Sequence, residues 1–263
     1  MRPAPESFRQ RLRAREPLLG TFIKTPTIHT AEVIGAVGFD FIVIDQEHAP
    51  FDRVATDAIL CAARAAGIAA LVRVRSSSAS EILGPLDDGA QGILVPHVST
   101  VATARSIATA SHYRGGNRGF SNSPRAGRYG GAGVWEHIDA CDALTTVVAM
   151  IEDPEAVQNI DAIAAVEGID AFFIGRGDLT VSLGAPGPDA PSVREVVERI
   201  AAAGRAREKA ICVHTGRLDV NEMCWLRGLG VTAFVVSSDQ GLLRTAASQV
   251  LGEFKELAAT TAR

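Results

Sequence analysis

Apolar positions in this chain fall into short runs separated by longer amphipathic stretches. The runs are Leu18–Lys24, Phe41–Asp45, Ala69–Val74, Gly92–Pro96, Thr145–Glu152, Asp170–Gly175, Ala210–His214 and Thr232–Ser237. Several are apolar throughout rather than alternating, as expected for parallel strands covered on both faces. Between them the apolar spacing becomes helical, with start and stop signals. Asp52 is placed to cap a helix ending at Gly67. Ser192 and Glu195 form a capping box for a helix whose Val193, Val196, Val197 and Ile200 share one face. Eight strand–helix units in 263 residues predict an α/β fold closed as a (β/α)8 TIM barrel, one domain over 1–263, a normal size for that architecture. A doubly wound open sheet is the alternative.

Two stretches stand outside this rhythm. Residues 1–17 read as a leading helix or arm, with Ser7 as its cap and Phe8 and Leu12 facing inward. Five arginines there allow a transit peptide as the alternative, but the segment has no apolar core of a secretion signal. Residues 113–140 are irregular, with Arg114, Arg118, Arg125 and Arg128 among glycines and a short helix around Trp135. So long a loop in a compact domain is usually functional or an interface. A subunit contact is the plainer reading and a phosphate cradle the other.

Composition narrows the function. Hydrophobic residues make up 47% of the chain and aromatics only 5%, which suits aliphatic strands under alanine-rich helices. A net charge of −4 argues against a nucleic-acid surface. Cys61, Cys141, Cys212 and Cys224 form no CxxC pair, so neither a disulfide framework nor a zinc knuckle is indicated. No apolar run reaches the ~20 residues of a membrane span, and the expected location is the cytoplasm.

In a TIM barrel the C-terminal ends of the strands build the site. Here they carry Asp45, Gln46, Glu47 and His48 on the second strand and Arg73 on the third. The fifth carries Glu152 and Asp153, and the sixth the turn Gly175-Arg176-Gly177-Asp178. Glu152 and Asp178 come from adjacent strands, and oxygen ligands with positions left for water or substrate suit Mg2+ or Mn2+. The alternative is that each acid caps the helix after it. No neighbouring Cys or His marks a zinc cage. His48 is a candidate general base that Asp45 could orient, or a structural histidine. Arg73 is placed to grip a substrate carboxylate with both arms of its fork, or to pair with Asp45, Glu47 or Asp87. Arg75, beyond the strand, is the weaker binder.

Five segments in register resemble the HpcH/HpaI aldolase family, metal-dependent class II pyruvate aldolases: Phe41–Pro50, Val72–Val74, Asp88–Pro96, Met150–Asp153 and Val166–Leu179. The likeness runs from about Leu19 to the Asp239 region. It implies that Glu152 and Asp178 hold a divalent ion (Mg2+, Mn2+ or Co2+) chelated by pyruvate or another 2-oxo acid. It implies that Arg73 contacts the keto oxygen, and that His48 moves the 4-hydroxyl proton through water with Asp45 as its orienting partner. Glu47 matches an acid behind the site, and Asp87 one presented across a subunit contact. Gly175, Arg176 and Gly177 match the turn whose N–H groups receive the substrate carboxylate. The activity implied is reversible retro-aldol cleavage of a 4-hydroxy-2-oxo acid to pyruvate and an aldehyde, without a Schiff-base lysine, by a homo-oligomer.

Three positions depart from the family pattern. Met150 stands where a glutamine is common, Arg176 where a proline is, and His214 where an aliphatic residue lines the aldehyde pocket. Arg176 and His214 together predict a more polar or anionic acceptor. Two other readings compete. One is a CoA-thioester lyase of the citrate-lyase-β type, favoured by the arginine loop. The other is a catalytically silent, metabolite-binding barrel, against which the intact set of His48, Arg73, Glu152 and Asp178 speaks.

Overall fold

A computed structural model describes residues 8–261. Its strands are β1 (Leu18–Ile23), β2 (Phe41–Asp45), β3 (Ala69–Arg73), β4 (Gly92–Val95), β5 (Thr146–Ile151), β6 (Ala171–Ile174), β7 (Ala210–Thr215) and β8 (Val231–Ser238). Each lies within one residue, at either end, of the run that predicts it. All neighbours are parallel, and β8 pairs back onto β1 to close the barrel β1-β2-β3-β4-β5-β6-β7-β8. That closure excludes the open sheet.

Strand side chains point alternately to the two faces of a sheet, and here the alternation sorts the core into two bodies. Phe22, Val43, Leu71, Leu94, Val148, Phe173, Cys212 and Val235 meet inside the barrel. Ile23, Ile42, Val72, Ile93, Ala149, Phe172 and Val213 face outward into the helical layer. Helix α1 (Phe8–Arg13) closes the floor, with Phe8 and Leu12 packed into the inner body as the sequence predicts. The expected cap Ser7 lies outside the described residues. Further helices that matter below are α2 (Ile28–Val37), α3 (Arg53–Ala65), α4 (Ala79–Asp87), α5 (Val101–Ser111) and α6 (Val134–Leu144). They continue with α7 (Pro154–Gln158), α8 (Ile160–Ala164), α9 (Arg176–Ser182), α10 (Pro191–Ala206), α11 (Val220–Gly228) and α12 (Asp239–Thr261).

Asp52 caps α3, its carboxylate accepting from the Ala55 amide at 2.7 Å. The predicted capping box at Ser192 and Glu195 does not form. Pro191 opens α10, Ala190 is the cap residue, and no side chain caps it. Proline's fixed φ and missing N–H suit the first helical position, so the helix begins before Ser192. The burial of Val193, Val197 and Ile200 is as expected.

The 113–140 loop joins α5 to α6 below the strands, at the end of the barrel opposite the C-terminal rim. Its arginines are engaged: Arg114 with Asp139, Arg118 with Asp87, Arg125 with Asp57 and Arg128 with Glu136. Paired in this way, they do not form a free phosphate cradle. Among the described residues, no helix is long and apolar enough to cross a membrane.

The floor plug gives a stability prediction. Leu12 is 1% exposed, and truncation of a buried leucine costs ~2–5 kcal/mol. Leu12→Ala should lower the denaturant midpoint accordingly. An unchanged midpoint would mean that α1 is not part of the core.

Candidate active site

The inward alternation of the strands continues past the apolar layers and delivers polar groups to the rim. Two residues beyond Phe22, Val43, Leu71, Met150, Cys212 and Val235 stand Lys24, Asp45, Arg73, Glu152, His214 and Ser237. Asp45 and Arg73 are register partners on neighbouring strands. Both are buried, and the guanidinium grips the carboxylate with Nε to Oδ1 at 2.9 Å and Nη2 to Oδ2 at 2.7 Å. Lys24 Nζ approaches Oδ2 at 3.1 Å. Burial opposes the charge on Asp45, yet the Arg73 hydrogen bonds and charge, the His48 amide and Lys24 together hold its pKa below the usual range.

Two expectations change as a result. Asp45 does not orient the His48 ring; it accepts from the His48 backbone amide at 3.1 Å. Its carboxylate is committed to Arg73, the only strong cation that the β2–β3 register can set against it. For the same reason Arg73 has no open fork for a substrate carboxylate. Its remaining arm, Nη1, lies 3.3 Å from Glu47 Oε2. The exposed His48 ring instead has Nε2 at 3.5 Å from Glu47 Oε2.

Glu152 is 2% exposed. Its Oε1 accepts from the His97 amide at 2.8 Å. A Cβ at Gly175 would stand 2.7 Å from Glu152 Oε2 and 3.0 Å from the Met150 methyl, so the position has no room for a side chain. Burial pushes the Glu152 carboxyl up to about 7. The His97 amide and ring oppose that shift, and the nearby carboxylates of Asp178 and Glu47 add to it. Asp178, exposed in the first turn of α9, lies close enough for its charge to act on Glu152. A buried acid strained by two like charges fits a divalent cation, which would relieve both the burial and the repulsion. Among the described residues there is no cluster of three or more His, Cys, Asp or Glu able to cage a metal. A two-carboxylate site with ligands left to substrate and water is the arrangement the residues suit.

His97, in the turn after β4, is a site residue that strand-end reading misses. Its ring nitrogens lie 3.2 Å from Asp153, 3.5 Å from Glu152 and 3.7 Å from Glu47, so a histidine does neighbour the acids. Burial opposes its protonation, but Glu152, Asp153 and Glu47 raise its pKa overall. Its backbone is left-handed, φ 53°, and nothing in the local sequence announces that turn. Lys24 could have been found by counting two residues on from Phe22.

The Gly175 amide donates to Ile151 C=O at 3.0 Å, so it is not free for a substrate carboxylate. The first bond of α9 runs from Leu179 to Gly175, which leaves the amides of Arg176, Gly177 and Asp178 as the first-turn donors. The Arg176 charge does not stand open beside them. It is buried and held by Glu222, by Asp189 at 2.8 Å and by Pro188 C=O at 2.8 Å. Met150 and His214 line the same cavity, of about 420 Å3, as Arg73, Gly175, Asp178 and His48. Burial keeps the His214 imidazole toward its neutral form, and the positive charges of Lys24, Arg73 and Arg176 reinforce this against a hydrogen bond that the ring donates to the Ser237 C=O. Asp87 is absent from this rim. It ends α4 at the far end of the barrel and binds Arg118 at 3.0 Å.

The raised Glu152 pKa has a sign that can be tested. Between pH 4.5 and about 7 the folded carboxyl keeps a proton that the unfolded chain has released, so metal-free stability falls as pH rises through that window. His97 acts in the same direction above 6.5, because its stabilising charge is lost as pH passes its folded pKa. Melting temperatures of the chelator-treated protein should fall across this range more steeply for wild type than for Glu152→Gln. Parallel profiles would contradict the assignment.

A profile of the family described as HpcH/HpaI aldolase/citrate lyase matches residues 18–246. A 5-keto-4-deoxy-D-glucarate aldolase from Salmonella paratyphi C is 32% identical over 96% of this chain and 98% of its own. A HpcH/HpaI aldolase/citrate lyase family protein from Burkholderia cenocepacia superposes with a TM-score of 0.88 at 29% identity, covering 95% of this chain and 99% of that one. The citrate synthase SbnG superposes with a TM-score of 0.86 at 30% identity, covering 97% of this chain and 99% of its own.

Proposed function

The chain belongs to the HpcH/HpaI aldolase/citrate lyase family, and we propose that it is a carbon–carbon lyase that reversibly cleaves a 4-hydroxy-2-oxo acid into pyruvate, or a related 2-oxo acid, and an aldehyde. The observation that carries this reading is buried Glu152, its pKa raised by burial and by the charge of Asp178, packed directly behind Gly175, which lines one cavity with Asp178, Arg73 and His48. A divalent cation held by the two carboxylates would supply Lewis-acid polarisation of the substrate's 2-oxo group.

The chain's own residues serve the rest of the reaction. Retro-aldol cleavage breaks the C3–C4 bond, removes the 4-hydroxyl proton and leaves an enolate at C2–C3. Arg73, locked by Asp45, presents Nη1 as a fixed positive charge to the enolate oxygen. The His48 ring, exposed in the cavity beside Glu47, takes the hydroxyl proton through water. The first-turn amides of α9 receive the substrate carboxylate. Phe22, Met150 and Phe173 wall the reacting centre with apolar surface.

The decisive assay is pyruvate release from a panel of 4-hydroxy-2-oxo acids after chelation, with Mg2+, Mn2+ or Co2+ added back. Activity should depend on the ion, Glu152→Gln and Asp178→Asn should abolish it without loss of fold, and Arg73→Ala should cost ~10²–10³ in turnover. Full activity in chelator, or in both carboxylate variants, would contradict the mechanism. The likeness to SbnG favours a CoA-thioester substrate as the second reading. Turnover of a CoA thioester, with no response to pyruvate, would carry it.

A homo-oligomer is also proposed. Helix α12 turns Leu243, Val250, Leu251, Phe254 and Leu257 to solvent, each at least half exposed, and Leu243, Ala246, Ala247, Val250, Leu251 and Phe254 form one apolar stripe. Phe254→Glu should lower the mass seen by light scattering. A wild type that is already monomeric would overturn the proposal.

A further inference from the structure

Within the lyase reading, Asp178 must keep a fixed reach toward Glu152, yet the turn that carries it supports itself poorly. Asp178 lies in the first turn of α9, a seven-residue helix that follows directly on Gly175 and begins Arg176-Gly177. Two glycines in three residues leave that stretch of backbone with wide conformational freedom, and no side chain caps the helix. Gly175 itself is pinned. Its amide donates to the Ile151 C=O at 3.0 Å, and it packs against the Glu152 side chain. Beyond Gly175, the buried residues of α9 are Arg176 and Leu179.

Arg176 ties this turn to the rest of the molecule. Its Nη1 donates to Glu222 Oε1 on α11, and its Nη2 donates to Pro188 C=O and to Asp189 Oδ1, each at 2.8 Å. Glu222 is held in its turn. Its Oε2 accepts from Arg194 Nη2, on α10, at 2.9 Å, and its amide donates to Asp219, the cap of α11, at 3.0 Å. The Trp225 ring of α11 packs on both guanidiniums, its centroid 4.2 Å from Arg194 Cζ and 5.7 Å from Arg176 Cζ. The Asp189 side chain is 71% exposed and that of Glu222 only 13%, so water and salt screen the first pair more than the second. Glu222 is the partner that decides where Arg176 sits.

We infer that Glu222 is a positioning residue for the metal site: through Arg176 it clamps the first turn of α9 to α10 and α11, and so sets the reach of Asp178 toward Glu152. Asp178 is two residues from Arg176 in the same turn, so a movement of one carries the other. Without Glu222, Arg176 is a buried guanidinium that has lost its best-shielded partner, and turning out to water relieves that cost. The two glycines beside it offer no resistance, and the turn follows the side chain. Glu222 is not among the residues that line the cavity of Asp178, Arg73 and His48. Its effect on the cation is transmitted, as the outer partners of metal ligands commonly act.

The test is Mn2+ binding to the chelator-stripped protein, without substrate, read from the loss of the free-ion EPR signal. Glu222→Gln should weaken binding by ~10–100-fold, the usual effect of removing an outer partner of a metal ligand, while its melting temperature stays close to that of wild type. Glu222→Asp should recover part of the loss. Arg176→Met should weaken binding as much, and the double variant no further, because both changes remove the same clamp. Arg194→Gln, which only loosens Glu222, should give a smaller loss in the same direction, and it carries the test if Glu222→Gln does not fold. Wild-type affinity in Glu222→Gln, or in Arg194→Gln where that variant stands in, overturns the inference, as do losses that multiply in the double variant. These outcomes leave the lyase reading standing. A wild type that binds no Mn2+ sinks both.

Discussion

In a closed parallel barrel every second side chain of every strand is forced into one shared interior. The rest of this molecule follows from that constraint. Below the rim the inward positions are apolar and fill the core. One step higher the same parity directs Lys24, Asp45, Arg73, Glu152 and His214 to the rim, where Asp45 binds Lys24 and Arg73, and Lys24, Arg73 and His214 line one cavity. Groups separated by nearly 200 residues in sequence thereby meet without any loop having to carry them.

Such crowding is costly unless charges are arranged. On the β2–β3 side the cost is met internally, since Asp45 and Arg73 satisfy each other with two hydrogen bonds. Buried pairs of this kind add little net stability. What this one supplies is a rigid guanidinium aimed along one remaining arm. On the β5–β6 side the charges are not balanced. Glu152 faces Asp178 and Glu47, with His97 only partly compensating. A site with a fixed cation on one side and surplus negative charge on the other is suited to a metal-chelating keto acid.

The strands were legible because apolar runs and their boundaries are local properties, and each run lies within one residue of its strand. The acids and Arg73 were legible as polar groups closing those runs. Partnerships were not. Asp45 is three residues from His48 in sequence, yet the interstrand register sets it against Arg73, 28 residues away. Arg176 looked free because Glu222 and Asp189 reach it from helix and loop segments far along the chain. His97 was invisible because a left-handed turn, not strand parity, swings it over Glu152. Lys24 has the same inward parity, two residues beyond Phe22, and meets Asp45 across the rim.

The central claim is that Glu152 and Asp178 share one divalent ion gripped by a 2-oxo acid. Crystals grown with Mn2+ and pyruvate, with data collected for anomalous scattering, address it directly. The account predicts an anomalous peak between the two carboxylates, with pyruvate bound to it and its keto oxygen on the Arg73 side. A well-ordered cavity containing pyruvate but no such peak, or a peak bound elsewhere, would contradict it.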